Sequence, residues 1–269
     1  MIKYSMIPAA LLITSMASAD TITVTELIAD GVEVLGDVEV EISQGDVVEL
    51  QVRGEREDLE RKPFYLDGRT LILGAAKRRD KHDYDDLKYK LTLPDLDEVT
   101  LNGSGDVYVK PLVVAEIELN VNGSGDIKAF SITADDLELT VEGSGDLKVA
   151  EVKAPSLSLL VAGSGDIGLG DVQLDVVESV VSGSGDIKVG SSMGKASTIE
   201  MSIIGGGAIN MSPVDFDYAE INIVGSGDAR IGEVKVMEVN IIGSGDVHYS
   251  GDPEIDSNVI GSGDLNRRN

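Results

Sequence analysis

Aspartate is the residue whose placement most invites a chemical reading. The tetrapeptide Gly-Ser-Gly-Asp occurs eight times, ending at Asp106, Asp126, Asp146, Asp166, Asp186, Asp228, Asp246 and Asp264. A ninth, degenerate copy, Gly205-Gly206-Gly207-Ala208, lacks the acid. If equivalent residues stack on adjacent strands, neighbouring carboxylates lie about 5 Å apart, which costs about 1 kcal/mol per pair in a water-like dielectric. A divalent cation would relieve that repulsion, so these eight aspartates are the Ca²⁺ candidates. The known Ca²⁺-binding β-roll uses Gly-Gly-x-Gly-x-Asp in nine residues, and neither that period nor that offset is found here. The competing reading is structural. Glycine supplies positive φ angles, and Ser and Asp bond local amides. The structural reading is the stronger, and no cofactor is expected.

Catalytic readings fare less well. The serine of Gly-Ser-Gly is not a nucleophile elbow, which needs Gly-x-Ser-x-Gly between a strand and a helix. His82, in Lys81-His82-Asp83, reads as solvated, and His248 reads as a surface residue. A glycosidase-like pair of carboxylates is available by number alone. However, such a pair should interrupt the repeat, and the main interruption, Gly205 to Ala208, removes an acid. Aromatic residues make up only 4% of the chain, which weakens a sugar-cleft reading. No enzymatic activity and no catalytic residue are expected.

The repeat dictates the elements that carry these residues. Successive copies are separated by 20 residues four times, then by 22, 20, 18 and 18. A fixed period in this range signals a repeat architecture. One residue after the Asp stand Val107, Ile127, Leu147, Ile167 and Ile187, and five before it stand Leu101, Val121, Val141, Val161 and Val181. This is period-two alternation on both sides of a glycine turn, the pattern of strand, tight turn and strand. Such units build either antiparallel hairpins in a meander or the coils of a parallel β-helix. Identity within each column favours coils, because each coil then meets a near copy of itself. An outer-membrane barrel is disfavoured by the missing aromatic girdles. The fold class expected is all-β, a right-handed parallel β-helix with coils of about 20 residues.

Outward positions also run in register. Glu98, Glu118, Glu138, Ser158, Glu178, Glu200, Glu220, Glu238 and Asp256 stand eight residues before the Asp, or before Ala208 in the degenerate copy. Lys128, Lys148, Lys188, Arg230 and His248 stand two residues after it. These columns read first as solvated faces and second as a patterned surface for a polymer or partner protein. Thr100, Asn120, Thr140, Ser202, Asn222, Asn240 and Asn258 suggest a polar ladder, interrupted by Leu160 and Val180. Ile204, Val224, Ile242 and Ile260 are either core or an exposed apolar stripe. In the second case they support oligomerisation or docking of a partner.

Composition narrows the setting. The 269 residues hold 22 Lys+Arg against 48 Asp+Glu, a formal charge of −26. A nucleic-acid binder needs a basic stripe, and none is present. With no cysteine there are no disulfides, thiolate sites or lipidated Cys. Lys3, the apolar run from Met6 to Ile13 and Ala17-Ser18-Ala19 before Asp20 have the layout of a secretory signal peptide. No later stretch is long and apolar enough for a transmembrane helix. Three regions are expected: a signal peptide at 1–19, a β region at 20–95 that caps or begins the solenoid, and the Gly-Ser-Gly-Asp β-helix at 96–269.

Three further segments accompany the repeat. They are Tyr65-Leu66-Asp67-Gly68-Arg69-Thr70-Leu71-Ile72-Leu73, Leu91-Thr92-Leu93-Pro94-Asp95-Leu96 and Val247-His248-Tyr249-Ser250-Gly251-Asp252-Pro253. Together with the repeated turns they make most of the chain resemble the bacterial head GIN domain family, described as putative autotransporter adhesins. That resemblance implies a β-helix akin to pectin-lyase-like folds, a cell-envelope setting, a role in adhesion and no established catalytic residues. The resulting expectation is an exported, non-enzymatic β-helix of the periplasm, outer-membrane surface or exterior. It would be an adhesin or scaffold for a protein or glycan, with homo-oligomerisation as a further expectation. The alternatives are a periplasmic structural or signalling-linked module and, behind it, a polysaccharide-active enzyme.

Overall fold

A strand that alternates apolar and polar residues must cover its apolar side and pair its backbone. In this protein each strand does both with its own copies. The computed structural model describes residues 12–16, 19–25, 27–84 and 86–268. Glu116–Gly123 runs parallel to Asp136–Gly143, from Glu116 opposite Asp136 to Gly123 opposite Gly143. Leu147–Gly163 runs parallel to Ile167–Gly183 with the same displacement of 20 residues. The displacement is 22 where Val176 faces Thr198 and 18 where Val236 faces Glu254. Register therefore follows the repeat period. The two strands flanking a Gly-Ser-Gly-Asp turn pair with their counterparts in neighbouring coils, which makes a β-solenoid and excludes the hairpin meander.

Changes in coil length fall at one corner. Met211 faces Ile231, a displacement of 20, whereas Phe216 faces Val234, a displacement of 18. Two residues thus drop out after the second strand, and the Gly-Ser-Gly-Asp corner is left intact. At the equivalent corner of the 22-residue coil, Met193 N–H donates to the Val172 carbonyl at 2.8 Å.

The core is a set of stacked inward columns. Leu101, Val121, Val141, Val161, Val181, Ile203, Ile223 and Ile241 form one of them, and all are buried. Ser179 breaks a neighbouring column between Leu159 and Met201. It is fully buried, and its hydroxyl has no hydrogen-bond partner.

The solenoid begins earlier in the chain than the motif does. β1 (Leu12–Met16), β2 (Ala19–Thr25), β3 (Gly31–Gly36), β4 (Glu39–Gln44) and β5 (Glu49–Gly54) are followed by the short helix α1 (Arg56–Glu60). Then come β6 (Phe64–Asp67), β7 (Thr70–Leu73), β8 (Lys88–Leu93), β9 (Glu98–Gly103) and β10 (Asp106–Val109). β3 and β4 form a coil directly beneath β9 and β10, with Gly36 opposite Gly103 and Glu39 opposite Asp106. Gly36-Asp37-Val38-Glu39 thus occupies the place of a Gly-Ser-Gly-Asp turn. β7 and β8 lie on the other side of that coil, so a segment later in sequence becomes the outermost layer.

Antiparallel strands close this end. β5 pairs with β8, β2 with β5 and β1 with β2, while β6 covers β7. An open parallel edge would otherwise be a template for aggregation. Most of the expected leader lies outside the described residues, and β1 with Ala19 at the start of β2 is the part of it that is seen. At the opposite end Val259, which belongs to the buried column, is 38% exposed because no described strand covers it.

Two substitutions test this packing. A Cβ on Gly165 would lie 2.0 Å from the Gly145 carbonyl oxygen. Gly165→Ala must separate two coils and should lower unfolding stability by about 3 kcal/mol or more, read by denaturant titration. Ser179→Ala removes an unsatisfied hydroxyl and should raise stability by about 1 kcal/mol in the same assay.

Candidate functional site: the outward ladders

The Gly-Ser-Gly-Asp corner is where coils come closest. The Gly163 carbonyl accepts the N–H groups of both Ser184 and Gly185, at 2.9 and 3.2 Å. The Gly143 carbonyl accepts those of Ser164 and Gly165 in the same way. At Gly163 the backbone has φ +140°, and a Cβ would meet the Gly143 oxygen at 2.3 Å. Both glycines of the motif are therefore demanded by backbone proximity.

The Asp closes the joint. Asp146 Oδ1 accepts the Asp166 N–H at 3.1 Å, Asp166 Oδ1 the Asp186 N–H at 2.8 Å, and Asp246 Oδ1 the Asp264 N–H at 2.9 Å. Asp186 serves Ala208 N–H at 2.8 Å, and Ala208 has no carboxylate to pass on. The second oxygen faces the basic column in several coils. Lys128 reaches Asp126 Oδ2 at 3.0 Å, Lys148 reaches Asp146 at 2.8 Å, and Arg230 reaches Asp228 at 3.2 Å. Burial pushes the Asp126 carboxyl up, but Lys128 and the Asp146 amide outweigh it and hold the pKa below its usual value. The eight Ca²⁺ candidates thus share one line along the corner. Among the described residues no three acidic or histidine side chains gather as a metal cage.

The acidic column forms a ladder on the adjoining face. Glu118 faces Glu98 and Glu138, and Glu200, Glu220, Glu238 and Asp256 follow one another on adjacent strands. Burial raises the Glu138 pKa, and Glu118, Asp136 and Glu178 raise it further. Beside this column, Asn240 donates to Asn222 Oδ1 at 3.2 Å and Asn222 to Glu220 at 3.1 Å. The polar ladder therefore ties coil to coil in part and otherwise steadies the glutamates. Ile204, Val224, Ile242 and Ile260 point outward, with exposures of 53, 48, 52 and 58%. They form a continuous apolar stripe between the acidic ladder and the corner.

One cluster was not legible as such. His82 was expected to be solvated, but its Nε2 lies 2.8 Å from Asp58 Oδ1 on α1, and both side chains are half-buried. α1, whose Leu59 is buried, sits against β2 and β5 and brings Asp58 to the loop that carries His82. Tyr84 stands edge-on to His82 at 4.6 Å and donates to Asp80 at 2.9 Å. Burial pushes the Asp80 carboxyl up, yet hydrogen bonds from the Ala76 N–H, the Tyr84 hydroxyl and the His82 N–H bring its pKa down to about 2. Burial, then the Asp80 contact, raise Tyr84 to about 12. The hollow alongside, about 230 Å³, mixes Lys77, Arg79 and His82 with Asp37, Asp80 and Asp83. These bonds fasten a loop.

Comparison with known proteins agrees with this geometry. The family described as putative auto-transporter adhesin, head GIN domain, matches residues 30–193 and 150–253. A solved structure of a putative lipid binding protein from Parabacteroides distasonis ATCC 8503 is similar at 27% identity and TM-score 0.72, covering 94% of this chain and 98% of that one. A putative adhesin from Parabacteroides merdae ATCC 43184 shares 18% identity at TM-score 0.72, over 94% and 97% of the two chains. A putative adhesin from Bacteroides fragilis NCTC 9343 shares 19% at TM-score 0.60, over 94% and 98%. The last two likenesses speak to fold alone. No curated protein matches the chain. Among the described residues no helix is long and apolar enough to cross a membrane.

The carboxylates predict a two-sided pH response. Glu138 has a raised folded pKa, so its contribution is largest when protonated and is lost as pH rises through that value. Thermal stability should therefore climb as pH falls from neutral through that raised value. Asp80 and Asp126 have depressed pKa values. Their contributions are present above about 4 and are lost as pH falls toward about 2, where the melting temperature should drop. A melting series across this range checks both limbs.

Proposed function

Because the chain belongs to the putative auto-transporter adhesin, head GIN domain family, we propose that it is an exported, non-enzymatic solenoid of the bacterial cell envelope that binds a protein or glycan along its side. The observation that carries this reading is the outward face, where an acidic column runs in register from Glu98 to Asp256, broken only at Ser158, beside a largely polar column of Asn, Thr and Ser. Such a face repeats carboxylates and neighbouring polar side chains about every 4.8 Å along the axis, except in the coil of Ser158 and at Leu160 and Val180. That suits an extended partner with repeating donors better than a small substrate, which needs a concave pocket. The commitment of the corner aspartates to amides and lysines supports a structural rather than catalytic use of the motif.

Residues 1–19 act as the export leader in this proposal. Their removal would take β1 away and leave β2 still paired to β5. Only Lys3 among the charges would be lost, moving the formal charge from −26 to −27. The segment 20–95 then begins the solenoid and caps it, and 96–269 carries the Gly-Ser-Gly-Asp coils.

Protease treatment of intact cells tests the reading. Disappearance of the protein while a periplasmic control survives is the expected result. Survival until the outer membrane is broken would contradict surface adhesion and favour a periplasmic scaffold. In parallel, mass spectrometry of the purified protein should show Asp20 as the first residue.

A further inference from the structure

Removal of the leader uncovers a strand edge. One sheet runs along the solenoid axis in the order β10, β4, β8, β5, β2, β1. β1 covers the outer side of β2, from Leu12 opposite Thr23 to Met16 opposite Ala19. β1 lies wholly within residues 1–19, so cleavage before Asp20 leaves the outer N–H and C=O groups of β2 unpaired. Edge strands that stay solitary are short, bulged, or guarded by Lys or Pro. β2 keeps Asp20-Thr21-Ile22-Thr23-Val24-Thr25, with no Lys and no Pro. Its last five residues are all β-branched, the type that favours an extended strand. The other terminal strand at this end, β6, has only four residues.

The setting of this edge says what fits it. β2 is antiparallel to β5, and β5 to β8. β1 shows that the outer side of β2 also takes an antiparallel strand. A second β2 meets that need when a two-fold axis perpendicular to the solenoid passes through Thr23. Ile22 of each copy then lies opposite Val24 of the other, and Thr21 opposite Thr25, so residues of one face meet residues of the same face. Ile22 and Val24 belong to the buried face, and the threonines are half-buried on the other. Charge selects the same arrangement. Each mature copy carries a formal −27, and two such bodies repel least when they point apart. Asp106, on β10, lies four strands behind β2, roughly 19 Å, against a Debye length of about 8 Å. The one acid on β2, Asp20, is already paired with Arg56 at 2.8 Å. Ile28 and Val47, just beyond the paired ends Thr25 and Glu49, are 70 and 67% exposed and widen the contact. We propose that the mature protein forms an end-to-end homodimer through β2, and that β1 of the leader masks this edge before export. This inference rests on the reading of residues 1–19 as a removed leader.

Sedimentation equilibrium of the protein purified from its envelope, with mass spectrometry of the same sample, tests it. With Asp20 as the first residue, the mass should rise with concentration toward twice the monomer value. Thr23→Lys should weaken association about tenfold or more and leave the thermal midpoint unchanged, because it guards the edge without touching the core. The chain has no cysteine, so Thr23→Cys, on the axis, should cross-link two copies on oxidation. Thr25→Cys should not, because its counterpart lies roughly four residues away along the strand, about 14 Å. A monomer up to about 100 µM would overturn the proposal, because small specific interfaces are populated by then. So would association indifferent to Thr23→Lys, or equal cross-linking at the two positions. A first residue other than Asp20 counts against the leader alone; a chain produced from Asp20 then undergoes the same sedimentation test, and a monomer there counts against the dimer.

Discussion

Each motif carbonyl that accepts two amides from the next coil holds two backbones at a distance no side chain can share. At Gly163 the space for a Cβ is already taken by the Gly143 oxygen at 2.3 Å, and at Gly165 by the Gly145 oxygen at 2.0 Å. Once that joint forms, every strand on either side is set in parallel register with its copy, and the inward and outward columns follow from the two-residue period. The Asp adds a side-chain bond along the same line. Its loss at Ala208 is tolerated because the carbonyl-to-amide joint persists there, with the Gly206 and Gly207 N–H groups on the Gly183 carbonyl at 2.9 and 3.1 Å.

The same stacking creates the protein's electrostatic problem and part of its answer. In-register copies place like charges beside each other along the acidic ladder, where Glu138 is held protonated to higher pH than an isolated glutamate. Along the corner, Lys128, Lys148 and Arg230 offset the aspartates directly. The ends of the stack differ as well. One is closed by antiparallel strands that do not repeat, whereas the last described coil leaves Val259 partly open. A solenoid that fills its interior with aliphatic columns has no room for an internal site, so recognition falls to the columns that face outward.

Much of this was legible in the chain. Eight identical tetrapeptides and their apolar columns favour the parallel solenoid over a hairpin meander and mark its core, because stacking sets each coil against a near copy of itself. The first coil was harder to see. Glu39 sits where Asp106 does, but 67 residues separate them instead of about 20, and its turn reads Gly-Asp-Val-Glu. The insertion that intervenes also builds the outermost layer, out of sequence order. The direction of Ile204 and its counterparts was undecided, since a glycine corner can swing its neighbours either way; the exposures settle it as outward. The His82–Asp58 and Tyr84–Asp80 contacts had no periodic signal, because the first joins α1 to a loop outside the repeat and the second lies within that loop.

The central claim is that the Gly-Ser-Gly-Asp corners are the rigid joints of the solenoid and not mobile surface loops. Hydrogen exchange of the corner amides tests this most directly. If the account holds, the N–H groups of Ser164, Gly165, Ser184 and Gly185 will exchange as slowly as those of Val161 and Val181 in the adjoining strands, by global opening. Exchange at the rate of an unprotected loop, with the strands still protected, would contradict it.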